Sequence, residues 1–511
     1  MGERSDEATT KGPGAPPEHA TIAVIGGGPG GSMTAALLAR EGFDVVLCER
    51  ETFPRYHIGE SLLTSAIPLL KFVGLYERME AHGFTRKHGG YFSLRKGAAP
   101  GHIDFRKVSA HGHSYQVIRS EFDELLLRHA AASGARVFEG TAVAGVDFDG
   151  DRAVALRWRQ GDAEGRMTFD QLVDASGLAG LLTTRCLRNR RFQDAFANVA
   201  VGSYWRGHTP YVAPDGSPQG GDFYMEALAD GSGWTWAVPL HDGTLSVGIV
   251  VHRDEFRRLR EAEGGAAGVY AACVAKSPEV AAMLAGAARE GAIQTWQDFS
   301  YVAERFAGPG YRVVGDAAAF IDPLFSTGVH MAFLGALAAA ASIASELRDG
   351  LTPAAAAAFH DSCVRKAYTR FAVIVAGMYK QIRAQDATVL YGVEGADFRR
   401  AFELVLPVLT GAADLGEGDV SPEVLGRAID FTIDMMNERA QLGSDNRAAQ
   451  LFVAEAGVHE DLAAAPENAI DGRFIRLERG RLGLVEVGSQ ADEIDRRRDD
   501  LRARLTLASR S

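Results

Sequence analysis

The chain has 511 residues, 46% of them apolar, and a formal net charge of -12, which is material for two or three globular domains. An acidic chain with no dominant basic cluster is not built for nucleic acid or an anionic membrane, so neither is expected as a partner. Its cysteines, Cys48, Cys186, Cys273 and Cys363, lie far apart with no C-x-x-C pair. That spacing excludes a zinc cluster and a disulfide framework and fits a reducing, cytoplasmic setting.

Residues 1–19 place Glu3, Asp6 and Glu7 among Gly and Pro with no apolar run, so a disordered leader is expected rather than a secretory signal. Ala20 to Ile25 reads as a short buried strand running straight into Gly26-Gly27-Gly28-Pro29-Gly30-Gly31 and an Ala/Leu-rich helix, with Asp44 to Cys48 as the next strand. This is a βαβ unit. Gly26, Gly28 and Gly31 stand at G-x-G-x-x-G spacing: the first permits the tight turn, the second lets backbone approach a pyrophosphate, and the third lets helix pack on strand. With Glu49 at the end of the second strand to take ribose hydroxyls, the combination predicts a bound dinucleotide. A second loop of this kind is not visible, so reducing equivalents must come from outside or from a transiently docked nicotinamide.

Further along, Arg119 opens a segment (Ser120 to Ala132) with helical spacing of Phe122, Leu125, Leu126 and His129, followed by a strand at Arg136 to Phe138. Val137 to Trp158 alternates around Asp149-Gly150 as a hairpin, and Gln171 to Gly177 returns to the first domain as a buried strand. Val199 to Trp205, Gly221 to Leu228, Gly233 to Pro239 and Thr244 to Val251 read as one antiparallel sheet. Tyr311 to Val314 supplies a last parallel strand before Gly315-Asp316. The run from Val329 to Ser345 is rich in small side chains and contains His330, which predicts a buried helix and not a membrane span. No internal repeat is present. The expected division is a core over 20–390, with dinucleotide-binding segments at about 20–190 and 295–350 around an inserted antiparallel substrate sheet at about 191–294, then a mainly helical region over 391–511.

Pro54-Arg55-Tyr56-His57-Ile58-Gly59-Glu60-Ser61-Leu62, following Glu49-Arg50, resembles the P-R-x-H-x-G-E-S-L signature of flavin-dependent halogenases. Arg119 with Phe122-Asp123 and Leu126 resembles the second FAD contact of that group. Gly315-Asp316-Ala317-Ala318 and Ile321-Asp322-Pro323-Leu324-Phe325-Ser326-Thr327-Gly328-Val329 resemble its flavin-proximal segment, and Gly233-Trp234-Thr235-Trp236-Ala237-Val238-Pro239 its W-x-W-x-I-P motif, with Val238 in place of Ile.

The resemblance implies an α/β fold with an FAD-binding domain of the aromatic monooxygenase type, an α+β substrate region and a helical C-terminal region. It implies FAD contacts from Gly26, Gly28, Gly31, Glu49, Arg50, Arg55, Arg119, Asp316 and Gly328. Chloride would rest on the backbone N–H groups of Thr327 and Gly328 at a positive helix end. At strand spacing Trp234 and Trp236 share a face and form a wall near the flavin that admits a halide and excludes an organic ring. Two Trp packed into a core is the plainer reading of those residues alone. A lysine before a short aromatic strand, Lys87, would receive hypohalous acid made from halide, oxygen and reduced FAD, either hydrogen-bonding it or becoming a chloramine. The other candidate, Lys71, sits in an apolar helix and reads as a surface residue. A separate NADH-dependent flavin reductase would supply the reduced FAD, as in chlorinating enzymes of secondary metabolism and antibiotic biosynthesis.

The sequence departs from the tryptophan-specific members at Phe325, where they place a Glu to remove the ring proton. That points to phenol or pyrrole substrates, phenol preferred, free or tethered to an acyl or peptidyl carrier protein. Arg473, Arg476, Arg479 and Arg481, then Arg496, Arg497 and Arg498, are interleaved with Glu and Asp, which favours a solvated helix face over a docking site for an acidic carrier. Rival readings are an aromatic hydroxylase on the same fold, a flavin-dependent reductase of prenyl chains, and a non-catalytic FAD-binding protein.

Overall fold

Small and β-branched residues, all but closed to solvent, make His19–Ile25 the central strand of a parallel sheet. The computed structural model describes residues 14–383, short breaks aside, and 469–487. Residues 1–13 of the expected leader, Arg496 to Arg498 and most of the expected C-terminal helical region lie outside these described residues.

Five mutually parallel strands run in the order Tyr311–Val313, Ala163–Asp174, His19–Ile25, Val45–Cys48, Arg136–Phe138. The helix Pro29–Arg40 follows the first strand and packs against the helices Arg119–Ala132 and Thr327–Leu347. Two of the loop glycines are packing requirements. Gly26 has φ +98°, and a Cβ there would lie 2.3 Å from the Ala175 carbonyl oxygen. A Cβ on Gly31 would lie 1.8 Å from the Gly26 carbonyl oxygen, so helix and turn could not close.

The helix Thr327–Leu347 is long and apolar enough to cross a membrane, yet 83% of its most apolar stretch is buried inside the protein. Its Ala336 and Ala338 to Ala341 are buried against neighbouring helices, where small side chains allow close approach. Its C-terminal end is pinned to the sheet: Arg312 Nη2 lies 2.9 Å from Glu346 Oε2, and Gln171 Nε2 donates to Glu346 Oε1 at 2.6 Å.

The hairpin predicted around Asp149-Gly150 is the pair Thr141–Asp149 and Arg152–Gln160. It continues into the strand that follows. Ala163–Thr168 pairs antiparallel with the hairpin, and the same strand then pairs parallel with the first strand from Thr168 to Asp174. One strand of 12 residues therefore belongs to both structures, where the sequence pattern marks only its buried end.

The second sheet has seven strands in the order Ala288–Gln297, Asn198–Arg206, Thr244–His252, Gly233–Pro239, Phe223–Ala227, Gly89–Ser93, Gly101–Asp104. It extends the expected antiparallel sheet at both edges and is not wholly antiparallel, because Phe223–Ala227 pairs in parallel with Gly89–Ser93. Local alternation marks strands but says nothing of remote partners, and this pairing joins segments more than a hundred residues apart. Gly90 permits it: a Cβ there would sit 2.0 Å from the Phe223 ring. One face of this sheet, with Val201, Tyr224, Ala237, Val247 and Ile249, packs on the helices Arg253–Ala262 and Ala266–Ala275. The other face carries Trp234, Trp236, Phe223 and Met225 towards the parallel-sheet domain.

The helix Pro353–Arg383 crosses behind that face. Arg473, Arg476, Arg479 and Arg481 do not form a helix face. Arg473–Arg476 and Gly483–Glu486 pair as an antiparallel hairpin, stabilised by cross-strand register and by a 2.8 Å bridge from Arg473 to Glu486. Arg476 donates to the Arg481 carbonyl at 2.8 Å, so these basic residues serve the hairpin itself.

Candidate active site

Between the two sheets lies a cavity of about 740 Å³ whose lining runs from Gly26, Gly28 and Glu49 through Arg55 and Asp316 to Thr327, Gly328, Trp234 and Trp236. At one end are the elements of a dinucleotide site. Glu49 is buried and uses its carboxylate to hold the loop, accepting from Gly27 N at 2.5 Å and Glu51 N at 2.8 Å. Arg55 Nη1 lies 3.1 Å from Asp123 Oδ2 but is buried without a hydrogen-bond partner among the described residues. An orphaned guanidinium N–H beside a glycine turn and a helix N-terminus is what a pyrophosphate would satisfy. Arg50 sits on the rim with its side chain 66% exposed, 3.4 Å from Glu51.

Arg119 is buried and fully engaged by protein. It pairs with Asp123 through Nε at 2.8 Å and Nη2 at 3.0 Å, and its Nη1 donates to the Ile58 carbonyl at 2.5 Å. Nη1 also donates to the Gly59 carbonyl at 3.2 Å, so Arg119 holds residues 58–59 while itself lining the cavity where the expected FAD contact falls. Asp316 presents a carboxylate with no side-chain hydrogen-bond partner among the described residues, and burial pushes its pKa up to about 6 against the opposing pull of Arg119 and Arg190. It fits an acceptor role towards a ribityl hydroxyl.

Thr327 begins the long helix, preceded by Ser326 at φ 59°, with no side chain capping the first turn. Thr327 and Gly328 line the cavity at this uncapped helix start, whose first-turn N–H groups have no intrahelical partner. A non-glycine residue in the left-handed region costs of order 1 kcal/mol or more and marks a turn held for a purpose. Phe325, in place of the acid, packs its ring 5.7 Å from that of Phe92.

The two indoles lie side by side, ring centroids 6.0 Å apart at 54°. Trp234 is buried and belongs to the core, and it also lines the cavity. Its Nε1 donates to the Tyr379 hydroxyl at 2.8 Å, which donates to Asp322 Oδ2 at 2.8 Å. Asn198 completes the group, donating to both. Trp236 lies over Gly248, where a Cβ would meet the ring at 2.1 Å, and its Nε1 is 3.3 Å from Ser246 Oγ.

Lys87 is completely buried. Its Nζ donates to Ser61 Oγ at 2.8 Å and to the Leu62 carbonyl at 3.0 Å, and stands 4.6 Å from the centre of the Phe223 ring. Ser61 and Phe223 both line the cavity, which places Lys87 just behind its wall. Burial lowers its pKa to about 7, with distant Asp222 opposing. Lys71 is exposed, as read from the sequence, with Nζ 4.8 Å from the Tyr76 ring centre.

Sequence reasoning gave no role to Glu60, Tyr204, Tyr379 or Gly248, all of which hold or line this site. Glu60 was visible inside the P-R-x-H-x-G-E-S-L segment; Tyr379 carried no signal, since a tyrosine on a helical face reads as core.

A parallel dinucleotide domain joined to a second sheet across one shared cavity defines a flavoprotein of mixed α/β fold. The tryptophan halogenase family model matches residues 21–108 and 95–390, and the chain belongs to this family of flavin-dependent halogenases. It is 41% identical over 501 residues to flavin-dependent halogenase armH3 of Armillaria mellea, covering 92% of this chain and 99% of that one. With sulochrin halogenase gedL of Aspergillus terreus it shares 39% identity over 92% of this chain and 93% of the relative. Among solved structures, the myxobacterial chondrochloren halogenase CndH superposes with TM-score 0.67 at 31% identity, covering 85% of this chain and 99% of that one. The flavin-dependent halogenase CmlS gives 0.70 at 30% identity over 92% and 84%. The protein is accordingly an FAD-dependent halogenating oxidoreductase that uses reduced FAD and halide on an aromatic substrate in secondary metabolism, with a separate flavin reductase.

Proposed function

We propose that this enzyme halogenates a phenol, and that Lys87 is the residue which directs the halogen. The observation that supports it is the pairing of a buried amine behind the cavity wall with Phe325 where the tryptophan-specific enzymes carry an acid. A ring whose own oxygen donates electrons needs no protein carboxylate at that position. Reduced FAD, when bound, supplies the electrons that activate dioxygen. The chain's own residues do the rest: Gly26, Gly28, Gly31, Glu49, Arg50 and Arg55 hold the dinucleotide, Asp316 takes a ribityl hydroxyl, and Arg119 keeps residues 58–59 in place. Thr327 and Gly328 offer the halide their N–H groups. Trp234 and Trp236 keep the organic ring from the cofactor, and Lys87 holds the oxidised halogen beside the ring carbon it attacks, as proximity demands.

The relative that bears the name sulochrin halogenase indicates that a free small molecule is an acceptable substrate class, and we infer that this chain acts on a free phenol, not a carrier-bound one. The reductase is read as NADH-dependent, and four cysteines with no disulfide among them suit a reducing cytoplasm. Comparing turnover of free phenols with the same acids loaded on a carrier protein tests the substrate reading: turnover confined to the loaded form contradicts it.

A further inference from the structure

Glu60 precedes Ser61, the residue that holds Lys87, and lines the same cavity. It is buried, 5% exposed, and among the described residues no Lys, Arg or His forms an ion pair with it. Its Oε1 accepts a 2.6 Å hydrogen bond from the Tyr204 hydroxyl, and Tyr204 lies 3.3 Å from the Tyr56 hydroxyl. Because the one proton of Tyr204 is committed to the carboxylate, Tyr56 is the donor in that second contact. Tyr56 is 51% exposed. Two hydroxyls in hydrogen-bond contact therefore run from this exposed tyrosine, which itself lines the cavity, to the buried carboxyl of Glu60.

Halogenation needs such a path. Per turnover, dioxygen takes up four electrons and four protons to become two waters. Reduced FAD gives two electrons and two protons. The aromatic ring loses a C–H bond and gains a bond to the halogen, and ring and halide anion together release two electrons and one proton. The fourth proton comes from solvent, because the halide enters as an anion and leaves bound in a neutral product.

We propose that Tyr56, Tyr204 and Glu60 form a proton relay that brings this fourth proton from the surface to the cavity. Glu60 gives its proton to oxygen leaving as water, Tyr204 reprotonates Glu60, Tyr56 reprotonates Tyr204, and water reprotonates Tyr56. Burial raises the pKa of Glu60, with Ser246, Tyr204 and Arg119 opposing and Asp242 adding repulsion. The relay rests on the halogenase activity and not on the role given to Lys87.

The test compares Tyr204→Phe, Tyr56→Phe and Glu60→Gln in the full chain. In flavin-free enzyme, the carboxylic C=O infrared band that E60Q removes should shift in Y204F, which has lost its hydrogen-bond donor. All three should bind FAD as the wild type does, followed by flavin fluorescence. Single-turnover halogenation should fall about 100-fold in E60Q and Y204F and less in Y56F, with a larger solvent deuterium isotope effect. Small weak acids such as formic acid should restore part of the rate. Wild-type rates and isotope effects overturn the relay, as does a loss that weak acids leave unchanged. If Y204F or E60Q fails to fold, the exposed Y56F decides alone by the same isotope effect and rescue. Lys87→Met separates this from the lysine assignment: it should lose halogenation without rescue by weak acids.

Discussion

Lys87 Nζ and Ser61 Oγ stand 2.8 Å apart, one fully buried and the other on the cavity wall. The lysine is thereby held behind the cavity wall, out of contact with bulk water. Most lysines keep their ammonium in solvent; here burial overrides that preference and a cage of Phe223 and Phe105 surrounds the head.

Such burial has a thermodynamic signature. The folded pKa of about 7 lies below the unfolded value of roughly 10.4, so between them the unfolded chain binds a proton that the folded chain does not. The cost to stability is full below pH 7 and vanishes above the unfolded pKa. Lys87→Met should therefore be more stable than wild type at neutral pH, by no more than about 4 kcal/mol, with the gain shrinking towards pH 10. Denaturant melts of the two proteins across that range check the sign.

Trp236 depends on the absence of a side chain opposite it. Gly248→Ala would place a Cβ 2.1 Å from the indole ring, and overpacking of this kind costs roughly 1–3 kcal/mol. The variant should melt earlier and, with the wall displaced, release more hydrogen peroxide per reduced FAD consumed. An unchanged peroxide yield would remove Trp236 from the wall.

Removing the Tyr379 hydroxyl takes one hydrogen bond from each of three partners, Trp234, Asp322 and Asn198. Tyr379→Phe leaves the Trp234 Nε1–H and one bond of Asp322 unmet in a buried site, a loss of about 1–3 kcal/mol. Asp322, whose pKa burial already pushes up to about 6, should titrate higher still. Because this pKa stands above the unfolded carboxyl value, the buried charge costs stability above it and the cost is relieved as pH falls through it; in Y379F that relief should set in at a higher pH, which stability curves of the two proteins against pH check.

The βαβ unit, the indole strand and the long buried helix were legible in the sequence because each is a local pattern: a glycine spacing, a period of two, a run of small residues. The seven-stranded sheet was only partly legible, since Gly89–Ser93 joins Phe223–Ala227 through a contact between remote segments. The hairpin at Arg473–Arg476 and Gly483–Glu486 was missed because alternating charges on a short strand look like a solvated helix face. At the site, residues in motifs were found and their partners were not. Arg119 was visible as a motif position by resemblance, but only coordinates show its bonds to Asp123 and Ile58.

Wild type and Lys87→Met are supplied with a flavin reductase, NADH, FAD, chloride or bromide and a panel of phenols and pyrroles, and products are read by mass-spectral isotope pattern. The expected result is halogenated phenol from the wild type alone, with equal FAD binding and equal oxygen consumption by both proteins. Halogenated product from the methionine variant at the wild-type rate would contradict it.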